Sequence, residues 1–132
     1  MSKRNKNHLP YIKGQFIAFP FIIIDGQQYK SLSTKAKALM VHLHRHWYNN
    51  KPTSMGLREA GQAIKTTPNT AGKAFDELLD SKFITIDKLS YLCTGTGTKI
   101  PRSFILNWMP YEYRKPTLDF LTEDEKKDIK FQ

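Results

Sequence analysis

At 132 residues the chain fits one domain of ordinary size, able to bury a core without disulfide or metal staples. Its single cysteine, Cys93, excludes an intrachain disulfide, and a cytoplasmic setting is the simplest expectation. The formal charge of +9 calls for a polyanionic partner, and it is concentrated ahead of residue 116, because residues 116–132 hold three basic and five acidic side chains.

Residues 1–14 are polar and basic, with Lys3, Arg4, Lys6 and Lys13 and no acid. They read as a flexible arm of the kind that reaches along DNA phosphates or into a minor groove. Phe16 to Ile24, FIAFPFIII, is nine residues long, far short of the ~20 needed to span a bilayer. Asp25-Gly26-Gln27-Gln28 follows it where an export signal would need a cleavage site, so neither a membrane segment nor export is expected. Phe16 to Phe19 is expected as a short strand and Pro20 to Ile24 as an apolar turn, all of it core material.

Ser33 provides an N-cap and Leu32 a hydrophobic staple for a long helix. Its apolar face is Ala36, Leu39, Met40, Leu43 and Trp47, and its end is predicted at Asn49-Asn50. His42 and His46 are four residues apart but have no carboxylate or thiolate nearby, and Arg45 would repel a cation, so His42 to His46 reads as a solvated polar face.

Leu57 to Leu79 reads as two helices joined by a tight turn. Leu57, Ala60, Gly61 and Ile64 form one apolar face, and Ala71, Ala74, Phe75, Leu78 and Leu79 the other. Thr67 caps the second helix and Pro68 occupies its first position, where a missing N–H costs nothing. Such a pair is either an αα-hairpin that builds core or a helix-turn-helix that lays its second helix in a DNA major groove.

Phe83 to Asp87 alternates like a half-buried strand, and Ser103 to Met109 is a second β-rich run. Between them Cys93 to Arg102, CTGTGTKIPR, has the composition of a mobile hairpin loop. It lacks the spacing of a phosphate-binding loop and no strand-to-helix unit surrounds it, so no nucleotide or other cofactor is expected. Leu118, Phe120 and Leu121 form an apolar anchor, and Thr122 to Glu125 a capping box that opens a short terminal helix.

The order strand, helix, helix, turn, helix, strand, loop, strand resembles the winged helix-turn-helix proteins of bacterial phages, plasmids and integrated mobile elements, some of them related to replication initiators. The phrases that carry this resemblance are Phe16 to Pro20, Tyr29-Lys30-Ser31-Leu32-Ser33, Arg58-Glu59-Ala60, Asn69-Thr70-Ala71, Ala74-Phe75-Asp76-Glu77-Leu78, Phe83-Ile84 and Pro116-Thr117-Leu118-Asp119-Phe120. Three positions depart from the pattern. Lys65 stands where a turn Gly is usual, Gly72 lies inside the second helix, and Lys82 replaces a Gly before the wing strand. The resemblance implies an α+β fold with a three-helix core and an antiparallel β-wing. The arm would occupy residues 1–14, the winged domain 15–121 and the terminal helix 122–132.

The function expected is sequence-specific binding of double-stranded DNA, as a transcriptional regulator of a mobile element. The alternatives are an origin-binding replication initiator or accessory protein, and a protein-interaction module using Trp47, Tyr48 or Trp108. Asn69, Thr70 and Lys73 on the outer face of the second helix are the expected base and phosphate contacts. Thr66 and Thr67 would take a phosphate at its N-terminus, with Lys99 and Arg102 of the wing and Lys3, Arg4 and Lys6 of the arm as further contacts. Asp76, Glu77 and Asp80 would repel the DNA backbone from the helix's C-terminal half. A palindromic target would indicate a homodimer. No metal site, small-molecule ligand or enzymatic activity is expected: the chain displays no Ser/His/Asp arrangement, and Tyr111 or Tyr113 lacks the Arg/His set of a recombinase nucleophile.

Overall fold

The computed structural model of the protein describes residues 12–48, 50–112, 114–127 and 129. The fold is α+β, with helices packed on a small antiparallel sheet. Two short helices, α1 (Phe21–Asp25) and α2 (Gln27–Lys30), lead into α3 (Thr34–Arg45), and a two-residue strand β1 (Thr53–Ser54) precedes α4 (Leu57–Ala63) and α5 (Pro68–Asp80). Strands β2 (Ile84–Lys88), β3 (Tyr91–Leu92), β4 (Lys99–Ile100) and β5 (Ser103–Leu106) follow, with α6 (Glu123–Lys126) near the end. β5 lies between β1 and β2, while β3 and β4 form a separate ribbon at the end of the hairpin.

Local signals place the helix starts. The Ser33 hydroxyl accepts from the N–H of Ala36, and the Thr67 hydroxyl accepts from that of Thr70, with Pro68 at the first position of α5. A long-range contact reinforces the first cap: the Glu77 carboxylate of α5 accepts from the Ser33 N–H at 2.8 Å and from its hydroxyl at 2.5 Å. The start of α3 and the side of α5 are thereby tied together. The capping box at Thr122 and Glu125 is also present, and the second Glu125 oxygen accepts from the Gln27 N–H at 3.0 Å, joining α6 to α2. Those bonds, the one to Thr122 foremost, hold the Glu125 carboxyl below its ordinary pKa.

The core sits between α3, α5 and the sheet. Leu39, Leu43, Phe75, Leu78, Phe104 and Leu106 are all without exposure. Phe75 stacks on Phe104 at 4.8 Å between centroids, and Phe83 stacks on Phe120 at 4.9 Å, so α5 and the chain beyond the sheet each meet a strand-borne or strand-adjacent ring. Leu118 packs at the edge of this core, and Leu121 is buried in it.

Several expectations need correction. Phe16 to Phe19 is not a strand, because β1 and β2 take both edges of β5, and Pro20 opens a helix rather than a turn. A five-residue helix turns one face inward: Ile23 is buried, whereas Phe21 is 82 % exposed and Phe16 88 %. α3 stops at Arg45, leaving Trp47 beyond it and only partly buried. Leu57, at the exposed start of α4, stays 42 % accessible. His44 is not part of a solvated face. It falls eight residues after Ala36 on the core side of α3, and the Trp108 indole N–H donates to its Nδ1 at 3.1 Å. Burial lowers its pKa, which keeps that lone pair available. The second β-rich run ends at Leu106, after which Asn107 turns inward and its amide donates to the carbonyl of Lys82 at 2.9 Å and to the Thr85 hydroxyl at 3.0 Å.

The two lysines that replace expected glycines are both left-handed, Lys65 at φ 54° and Lys82 at φ 67°. The Asn107 amide secures the second of them. The turn between α4 and α5 relies on a different glycine. A Cβ on Gly61 would lie 2.8 Å from the Thr66 carbonyl oxygen and 3.2 Å from the Pro68 nitrogen, both backbone atoms that cannot swing aside. Gly72 has room: its Cβ would meet only the Leu57 side chain, at 3.7 Å. Gly61→Ala should therefore cost ~1–3 kcal/mol by overpacking, whereas Gly72→Ala should stabilise by ~0.5–1 kcal/mol through helix propensity. Urea midpoints of the two variants should move in opposite directions; a loss in both would mean that Gly72 is also held at close approach.

Candidate nucleic-acid interface

Asn69 and Lys73 are exposed, one turn apart on the first half of α5, and α5 turns Ala71, Ala74, Phe75 and Leu78 into the core. Residues four apart on a helix lie about 6 Å from each other on one face. An amide and an ammonium group are thus presented side by side, away from the fold's interior. Thr70 is half-buried, and the Thr67 hydroxyl donates to its hydroxyl at 3.1 Å. The same Thr67 oxygen accepts from the Thr70 N–H at 3.2 Å. Both hydroxyls are occupied in shaping the helix start, so Thr67 serves as the cap of α5. Thr66 lies in the turn, its N–H donating to the Gly61 carbonyl at 2.7 Å.

The acids of α5 divide. Asp76 and Asp80 are exposed, whereas Glu77 is half-buried and engaged by Ser33. Glu77 thus holds the start of α3 while keeping its negative charge.

Lys99 stands exposed on β4, paired across the ribbon with Leu92. Arg102 does not stand beside it as a free loop cation. Its guanidinium lies 5.4 Å from the centroid of Phe75 and 5.1 Å from that of Phe104, over the ring pair that joins α5 to β5. Its carbonyl accepts from the Met55 N–H at 3.3 Å, next to the pairing of β1 with β5. A cation at this distance from two rings is attracted by their π-faces. Lys3, Arg4 and Lys6 lie outside the described residues.

The hairpin and the first turn of α4 enclose a groove of about 490 Å³, bordered by Gly56, Arg58, Glu59, Ser90, Lys99 and Arg102. Three cations and one acid face it, and Glu59 reaches toward His46 at 4.0 Å. Arg58 escaped sequence reasoning as a site residue, because only the fold brings it opposite Lys99, forty-one positions later in the chain. A larger groove of about 590 Å³ lies between residues 15–17 and α3, but Arg45 is its only cation among the lining residues and Phe16, Val41 and Trp47 give it an apolar wall. Charge, not volume, separates the two as sites for a polyanion.

Trp108 is 4 % exposed and committed to His44, so it is unavailable to a partner protein, whereas Tyr48 is 70 % exposed. Among the described residues no three His, Cys, Asp or Glu side chains are grouped to hold a metal ion, and no helix is long and apolar enough to cross a membrane. No family model, no curated protein and no solved structure matches the chain.

The packing of Arg102 makes the two hairpin cations separable. Lys99→Ala should leave stability within ~0.5 kcal/mol of the parent, as an exposed surface change. Arg102→Ala should cost ~1–2 kcal/mol through lost ring contact and lost cover over the Phe75–Phe104 pair. Thermal melts of the two variants check this, and equal melting temperatures would mean that the stack contributes nothing.

Proposed function

We propose that the chain is a sequence-specific double-stranded DNA-binding protein of the winged helix-turn-helix type. In this reading α4 and α5 are the helix-turn-helix, α5 is the recognition helix, and the hairpin from β2 to β5 is the wing. One observation carries it: Asn69 and Lys73 project from the first turns of a capped helix whose opposite face is wholly core. Neither has a structural duty. An Asn amide matches adenine bidentately, and a Lys ammonium matches guanine or a phosphate.

The surroundings favour a duplex over a protein partner. Arg58, Lys99 and Arg102 converge on the groove beside the hairpin, where phosphates of the same duplex would run. The resemblance to proteins of phages, plasmids and integrated elements supports a role as a transcriptional regulator of a bacterial mobile element. A two-fold symmetric target would require two copies of the chain, and the half-site spacing would report their separation.

Selection from random duplexes, followed by binding assays on the selected site and on random sequence, tests the proposal. Asn69→Ala should cost ~1–3 kcal/mol on the selected site and much less on random duplex. With ~6 phosphates neutralised, log K for the parent should fall with log[salt] at a slope of about −5. Equal losses on both duplexes would remove α5 from base reading, and a slope near zero would end the nucleic-acid reading altogether.

A further inference from the structure

The outer part of the hairpin carries side chains that base reading by α5 leaves without a role. Leu89, Tyr91 and Leu92 are 70, 54 and 64 % exposed, three bulky apolar groups within four residues. Isolated exposed leucines are ordinary, but a cluster on a projecting element is not. Among the described residues the ribbon adds nothing to the buried core. Among them β3 pairs only with β4, and a Cβ added at Gly95 or Gly97 would meet nothing within 4 Å, so the tip projects from the described fold. A register irregularity between Ile86 and Lys88 marks where the hairpin departs from the sheet, as bulges do when they re-aim a strand.

The charge around the cluster selects its partner. From residue 88 to residue 102 the chain holds Lys88, Lys99 and Arg102 and no acid. The nearest acid in sequence, Asp87, accepts from the Ser103 hydroxyl at 3.1 Å, and Glu59 is the one acid among the described residues that line the groove beside Ser90 and Lys99. Leu92 is paired directly opposite Lys99, which puts an apolar group and a cation side by side across the ribbon. A face for another protein copy would set these cations against an equally basic surface, since the chain carries +9. A duplex answers both features, with a negative backbone on each side of an apolar stack of bases.

We propose that the hairpin enters the minor groove and wedges Leu92 against a base step, with Lys88 and Lys99, on the same face of the hairpin, on the flanking phosphates, so that the protein bends its DNA. This rests on the DNA-binding reading above. Apolar wedges unstack a step at a cost of a few kcal/mol and kink the duplex by ~20–90° toward the major groove. The preferred site should therefore place an easily unstacked pyrimidine–purine step beneath the hairpin, at a position no polar side chain reads.

The test uses the full chain at saturating concentration and low salt, with a duplex carrying the selected site and a fluorophore at each end. Energy transfer should report a bend within that range for the parent. The variant Leu92→Ser should lose most of it while melting at the parent temperature, and Leu92→Phe, which keeps a bulky apolar group, should retain it. Binding without a bend, or an equal bend in Leu92→Ser, overturns the wedge and leaves the DNA-binding reading intact. So does a change in the oligomeric state of the free Leu92→Ser variant with the bend preserved, which would assign the cluster to contact between copies. Failure of the parent to bind any duplex overturns both.

Discussion

The stack of Phe75 on Phe104 is the contact on which the rest of the arrangement depends. It joins the helix that presents Asn69 and Lys73 to the central strand from which the hairpin grows, with the rings 4.8 Å apart and nearly parallel at 16°. Arg102 closes the outer side of the pair with its guanidinium. One cluster of three side chains therefore sets the angle between α5 and the hairpin. Two elements that would meet one duplex together in the proposed function gain a fixed relation to each other, which is how a rigid scaffold reduces the ordering cost of binding.

Electrostatics follow from how the acids are used. Glu77 is spent on the N-terminus of α3, where two charge-assisted hydrogen bonds hold it. Asp87 is held by Ser103, and Glu125 by Thr122 and Gln27. These carboxylates serve as caps and ties between elements, while Lys73, Lys88 and Lys99 remain exposed on α5 and the hairpin. These acids thus have structural partners, whereas the three lysines point to solvent.

Helices α3, α5 and α6 were legible because their signals are local, whereas α1 was expected as an apolar turn and α2 was not expected at all. Ser33, Thr67 with Pro68, and Thr122 with Glu125 each act within one turn, and the apolar spacing of Leu39, Met40 and Leu43 or of Ala71, Ala74, Phe75 and Leu78 needs no knowledge of the rest of the chain. What escaped is non-local. β1 is two residues long and exists because β5 offers an edge to Thr53 and Ser54. His44 looks like one of several polar residues on α3 until Trp108, 64 positions away, supplies its donor. Arg102 reads as a loop cation until two rings from different elements appear beneath it. The same holds for the candidate interface: Asn69 and Lys73 follow from helical spacing alone, whereas Arg58 joins Lys99 only through the fold. Phe16 and Phe21 failed in the other direction, since hydrophobicity predicts burial but not whether any partner surface is left to provide it.

In the proposed function α5 and the hairpin together form the DNA-binding face. Backbone amide NMR shifts of the protein titrated with its selected duplex test this most directly, because they report position along the chain rather than affinity. The prediction is that residues 69–73 and 88–99 shift together and that those around Phe16 and Val41 do not. Shifts confined to the groove between residues 15–17 and α3, with Asn69 and Lys73 unmoved, would contradict it.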